Sequence, residues 1–252
     1  MSADEPKISA VESYSDAFRD LVNDRVGWKA SPALALRLNM ERDWGFVCVA
    51  MDILGDASLA LHNFVTFGID GPTKYDDTGE KYLRLYGLLS AAYAQQQAAL
   101  KLHKLMSCKL QQEFRAKADH LQIRKLRHQL ASHSIDCIDF ADKSVSAFVP
   151  VRIDLAGYNC TVTENRGDRS FSYDLQKAVA EHCDFMLDLM DAIYEKSYKT
   201  LFKSNKLKQA EHSEKLDALR KVKEGYLIFK APGQNGLSIV VGPFQNAPRK
   251  SK

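Results

Sequence analysis

Residues Glu80–Phe114 read EKYLRLYGLLSAAYAQQQAALKLHKLMSCKLQQEF, and this run decides the fold class. Leu85, Leu88, Leu89, Ala92, Ala99, Leu102 and Met106 recur at three- and four-residue spacing, the period of a helix with one apolar stripe. Ala, Leu, Gln and Lys supply most of the remainder, and all have strong helix propensity. A long helix is therefore expected. Gln96 stands where the stripe calls for a hydrophobe. It reads as part of an exposed polar turn, with a hydrogen bond inside the bundle as the alternative.

Upstream, WGFVCVAMDILGDASLALHNFVTFG (44–68) carries Trp44, Val47, Cys48, Met51, Leu54, Ser58, Leu61 and Val65 at the same spacing, and should stop near Gly68. GIDGPTKYDDTGE (68–80) is a polar loop punctuated by Gly71-Pro72. Its Asp76-Asp77 pair suits the dipole of the helix that follows. Downstream, a helix should begin near Ala118 and run through RKLRHQLASHSID (124–136), anchored by Leu121, Leu126, Leu130 and Ile135.

The period then changes. SVSAFVPVRIDLAGYNCTVTENRGDRSFSYDL (144–175) alternates in VRIDL and NCTVTE, and Asn165-Arg166-Gly167-Asp168 supplies turn chemistry. Two or three short strands are expected, with Pro150 at an edge or irregular position. A helix follows from about Leu175, with Ala178, Val179, His182, Phe185, Met186, Leu189, Met190, Ile193 and Tyr194 on a broad apolar face. A charged helix should cover Ala210–Lys223, and GYLIFKAPGQNGLSIVVGPF suggests a hairpin around Gly233–Gly236 before a frayed NAPRKSK. The fold class is mainly α: a helical bundle with a small β-hairpin insertion after the motif helix. One domain is expected over residues 1–252, with the β-rich insertion at 144–174 and the hairpin and tail at 225–252.

Composition narrows the function classes. The 252 residues are 45% hydrophobic and 27% charged, ordinary values for a soluble globular chain. The N-terminus MSADEPKISAVESYSD lacks the regions of a signal peptide, and no uninterrupted apolar run reaches bilayer length. Cys48, Cys108, Cys137, Cys160 and Cys183 are scattered, odd in number and without CxxC spacing, which fits core positions in a reducing cytoplasm. Net charge is only +3. Its distribution says more: Lys101–His128 holds eight Lys/Arg against Glu113 and Asp119, and KSYKTLFKSNKLK (196–208) is a second basic run. The first run could attract phosphate, or be a solvated helix face. There is no P-loop, dinucleotide fingerprint, nucleophile elbow or HExxH. His62, His103, His120, His182 and His212 each stand alone on helical segments and read as surface or satisfied core.

RKLRHQLASHSID differs because several competent groups converge there. Arg offers a permanently charged fork that matches phosphate oxygens, and His exchanges a proton near neutral pH. Together they can cleave an RNA phosphodiester by activating the 2′-hydroxyl or protonating the leaving oxygen. Yet Arg127 and His133 are six residues apart, a rotation of roughly 240° at about 100° per residue. They meet only if the helix ends or distorts near Ala131–Ser134, or if two copies pair. Arg124 and His128, at i and i+4, share a face and form a competing pair. From spacing alone, a polar helix tip explains the run as well as catalysis does.

RHQLASHSID resembles the R-x4-6-H motif of HEPN domains, in which a polar residue directly follows the Arg, and YLRLYGLLSAAYAQQQAALKLHKL is similar to the long helix that precedes that motif in a bacterial group. The resemblance spans about Trp44–Phe202. It implies an all-α bundle that forms a homodimer with two motifs facing each other, and a metal-independent endoribonuclease of toxin–antitoxin or antiviral defence type. No cofactor or metal is implied. Arg127 would stabilise the phosphate, His133 would be the acid/base, and His128 a positioning group beside Ser132 and Arg124. His128 in place of the commoner Asn, and one of the longer allowed spacings, depart from the usual pattern. The expected partners are RNA or a nucleotide, a second copy and an antitoxin or regulatory protein, with no membrane. The competing reading is a non-catalytic nucleotide-binding or interaction module, and a third is a helical scaffold whose polar cluster satisfies itself.

Overall fold

The structure, a computed structural model, describes residues 5–73, 76–138, 143–165, 167–230 and 238–241. It is mainly α, a helical bundle with small β elements after the motif helix. The first helix, α1 (Glu5–Val26), lies in a segment for which no element was expected. Its stripe of Ile8, Val11, Tyr14, Phe18, Leu21 and Val22 is nonetheless helical in period and wholly buried. A short α2 (Pro32–Ala35) follows, capped by the Ser31 hydroxyl on the Leu34 amide.

Helices α3 (Asp43–Phe67) and α4 (Thr78–Leu105) form an antiparallel hairpin. Arg84 bonds Asn63 and the Gly68 carbonyl at one end, Gln95 bonds Leu54 and Ser58 midway, and Lys101 lies over Phe46 at the other. By length and composition α3 could cross a membrane, which the run-length criterion did not register. Asp52 and Asp56 on its outer side, and Val47, Leu54, Leu61 and Val65 in the bundle core, fit a packed bundle helix.

The long helix ends at Leu105, short of the expected Phe114, because Ser107 and Leu110 take left-handed backbone. α5 (Gln111–His120) contains Ala118, so the motif helix does not start there. Leu121 is extended and breaks the chain, and α6 (Gln122–Arg127) begins beyond it. Leu121 has no capping side chain; instead Glu181 of the next long helix accepts the Gln122 amide at 3.0 Å. Leu121, Leu126 and Leu130 are buried as expected, but Ile135 is 83% exposed because the helix has ended before it.

Strands β1 (Cys137–Ile138) and β2 (Val145–Ser146) pair, so the β region starts before residue 144. Strands β3 (Phe148–Pro150), β4 (Asn159–Glu164) and β5 (Arg169–Asp174) form an antiparallel sheet in that order, with Pro150 on its edge strand. The alternation in VRIDL misled: Arg152–Asp154 is a 3-10 turn. The sheet region is docked on the α3–α4 corner by Ile69 N to Gly157 O (2.7 Å), Gly157 N to Asp70 (2.7 Å) and Tyr158 hydroxyl to Val65 O (2.5 Å).

Helix α7 (Leu175–Leu201) starts on an Asp174 cap and is buried along most of its length, running parallel to α1 and α4. α8 (Lys206–Lys223) begins four residues before the expected Ala210, with Asn205 as its cap. It returns antiparallel, and Arg220 clasps Asp191 and Glu195 of α7. Burial alone would raise the Asp191 carboxyl, but Arg220 and the Tyr14 hydroxyl hold it below its ordinary value. Strands β6 (Leu227–Lys230) and β7 (Ser238–Val241) make the expected C-terminal hairpin. The turn at 233–236 and the tail NAPRKSK lie outside the described residues.

Candidate active site on a widened helix end

The helix is distorted between Arg127 and His133, but the distortion brings His133 to His128 and not to Arg127. After Arg127 the helix widens into a π turn, His128–Ser132, closed by the His133 amide on the His128 carbonyl at 3.0 Å. In an α-helix, residues five apart point roughly 140° away from each other at about 100° per residue. Bonding at i→i+5 brings them into register. The rings of His128 and His133 accordingly sit 4.7 Å apart. The sheet region holds the turn open: Tyr173 of β5 donates to the Gln129 side chain at 3.0 Å, and the Phe148 amide of β3 bonds the Ser134 carbonyl at 2.7 Å.

Arg127 sits over a ring. Its guanidinium carbon is 3.7 Å from the centroid of Tyr93 in α4, close enough for cation–π attraction. Its Nε is buried without a hydrogen-bond partner, and among the described residues no carboxylate pairs with it. No hydrogen bond or ring contact joins Arg127 directly to His133 among the described residues. Both act on His128 instead. Burial, then the His133 and Arg127 charges, lower the His128 pKa below the ordinary histidine value, and Asp136 opposes them. Asp136 also stands 3.4 Å from His133 Nδ1. Ser132 is exposed at the end of the turn and makes no described contact.

Arg124 does not pair with His128. It turns to Asp119 at 2.9 Å, to the Gln96 carbonyl at 3.4 Å and to the Tyr93 ring at 5.1 Å. Gln96 is thus fully buried, not in an exposed turn. It begins a polar chain through the core. The Gln96 amide donates to His182 Nδ1 (3.1 Å), His182 Nε2 donates to Gln95 (2.8 Å), and Gln95 donates to Ser58 and the Leu54 carbonyl. Every donor in this chain meets an acceptor only if His182 is neutral. Complete burial pushes its pKa down to about 4.

The other lone histidines divide. His62 pairs with Glu12 at 3.1 Å, and His212 bonds Tyr194 at 2.9 Å. His103 packs on Phe114 with its Nε2 unpartnered. In the second basic run two of the five lysines are engaged in ion pairs among the described residues, Lys199 with Glu195 and Lys208 with Asp24 and Glu211. Cys108, Cys137, Cys160 and Cys183 are buried, and burial pushes the Cys108 and Cys160 thiols up to about 12. Among the described residues no three His, Cys, Asp or Glu side chains gather as a metal-ligand set.

Sequence reasoning missed Tyr93 and Asp136. Tyr93 is hidden because its link to Arg127 spans two helices, whereas Asp136, three residues beyond His133, was legible as a local partner. Fold and site together define a helical-bundle protein with an Arg–His cluster on a widened helix end. Protein-family models, curated proteins and solved structures offer no match to the chain.

Proposed function

We propose that the protein is an endoribonuclease of HEPN type that cleaves RNA at the Arg127–His128–His133 cluster. The observation that carries this reading is Arg127: a guanidinium held on Tyr93, with a buried unpaired Nε and no carboxylate partner among the described residues, next to His128 of the His128–His133 pair. A buried donor left unpaired costs about 1–3 kcal/mol and calls for an explanation, of which a catalytic role is one. In this mechanism Arg127 neutralises charge developing on the phosphate. His133, with Asp136 beside Nδ1, transfers the proton through Nε2, and His128 positions it. A second copy would bring a second cluster to the same cleft. An antitoxin-like partner would restrain the cytoplasmic enzyme.

The test is cleavage of single-stranded RNA by wild type, Arg127→Ala and His133→Ala, with and without chelator. Loss of about a hundredfold or more in both variants is expected. Equal cutting by all three proteins, or no cutting by wild type, refutes the proposal. A non-catalytic binding module is favoured by one fact, that Arg127 and His133 make no direct contact in one chain. Calorimetry showing RNA or nucleotide binding without turnover would establish it instead.

A further inference from the structure

Four of the eight cations of the basic run converge on one cleft. Gln97, Lys101 and Lys104 project from one face of α4 at i, i+4 and i+7, Arg115 and Asp119 from α5 at i and i+4, and Arg124 from α6. The cleft has a volume of about 420 Å³. Asp119 is its single carboxylate and is held by Arg124 at 2.9 Å. Among the described residues Lys101, Lys104 and Arg115 have no ion-pair partner. The Lys101 ammonium rests 4.0 Å above the Phe46 ring at the rim.

Arg124 is already ordered for binding. Gln96 from the buried chain, the Tyr93 ring and Asp119 hold its guanidinium, so an incoming anion would not have to freeze its rotamers. Asp119 is the exposed member, with 59% of its side chain open to solvent. An anion can therefore take its place on Arg124 without opening the core. The lining contains no aromatic ring on which a base could stack, but four cationic heads. That composition selects phosphate over nucleobase. The same Tyr93 ring contacts Arg124 at 5.1 Å and Arg127 at 3.7 Å, so cleft and motif meet at that ring.

We propose that this cleft holds a backbone phosphate of the RNA strand flanking the phosphate cut at the motif, with Asp119 as the counter-ion that the strand displaces from Arg124. This rests on the ribonuclease reading for its ligand, but it is separable from cleavage. The probe is a short fluorescent single-stranded RNA, titrated by anisotropy against the full-length His133→Ala protein over a range of salt concentrations. Adding Lys101→Ala and Arg115→Ala should weaken binding on the order of tenfold and lower the salt slope by about 0.7 for each phosphate lost. Asp119→Asn should tighten binding, a gain that no folding defect produces. Unchanged affinity and slope in the Lys101→Ala/Arg115→Ala protein would overturn the cleft and leave the cleavage reading standing. Loss of affinity in that variant, from a parent protein whose wild type never cuts RNA, would keep the cleft and remove the cleavage reading. Binding of tripolyphosphate or ATP at the cleft without binding of RNA would overturn the assignment to a strand.

Discussion

Gln96 donates its amide to Nδ1 of His182 at 3.1 Å, at a point where neither side chain reaches solvent. The pair links the core to the site, because the other end of the Gln96 amide accepts from Arg124. Turning the Gln96 amide over would aim its NH2 at the guanidinium, so Arg124 sets the orientation that keeps His182 neutral.

Gln96→Leu leaves a buried imidazole nitrogen and part of a guanidinium without partners. Destabilisation of about 1–3 kcal/mol is expected from urea unfolding. Combined with His182→Leu the loss should fall short of the sum, with a coupling of at least about 0.5 kcal/mol. Strict additivity would show that the chain is not a network.

Stability should fall on acidification through one specific window. The unfolded chain takes up a proton on residue 182 near the ordinary value of 6.5, whereas the folded protein refuses it until about 4. Stability from this group is therefore complete above about pH 6.5 and declines as pH drops toward 4, by about 3 kcal/mol in all. Burial of His103 and His212 shifts both in the same direction. Urea midpoints measured across that range should flatten in His182→Leu; an unchanged acid limb would contradict the assignment.

On the proposed ribonuclease reading, Tyr93 should matter to cleavage through its face and not its hydroxyl. Tyr93→Phe keeps the surface under Arg127 and should cut RNA nearly as well as wild type. Tyr93→Leu removes a cation–π contact of about 1 kcal/mol and should slow cleavage several-fold to tenfold. If the Phe variant is the slower of the two, the stacking account fails.

Gly68 is required at the corner between α3 and the sheet region. Its φ is +63°, and a Cβ there would lie 2.5 Å from the Gly157 carbonyl oxygen, the acceptor of the Ile69 amide. Gly68→Ala should cost about 1–3 kcal/mol, read as a lowered unfolding midpoint. Gly55→Ala has open space at its Cβ and serves as the helical control, where a gain or no loss is expected.

Much of the architecture was legible in the sequence because helical burial writes itself as a period. The stripes of 44–68, Leu85–Met106 and Ala178–Tyr194 each predicted a buried face, and the strand pair at NCTVTE and RSFSYD followed from alternation around a turn. What failed was local. VRIDL alternates without pairing, and the breaks at Leu110 and Leu121 come from single backbone angles that no composition announces. The stripe of α1 is equally periodic, but acids at Glu12, Asp16, Asp20 and Asp24 interleave it.

For the site, the sequence by itself determined which groups are present: Arg124, Arg127, His128 and His133 in one run, and a surplus of cations leading into it. It also determined that Arg127 and His133 lie apart on a regular helix, since residues per turn are a property of backbone geometry. Only the tertiary structure decided how that separation is handled. Tyr173 and the Phe148 amide hold the helix end open as a π turn, Tyr93 seats Arg127, and Gln96 draws Arg124 away from His128. These partners lie between 14 and 44 residues away along the chain. Ring stacking and hydrogen bonding act over a few ångströms of space, so packing alone selects which side chains meet.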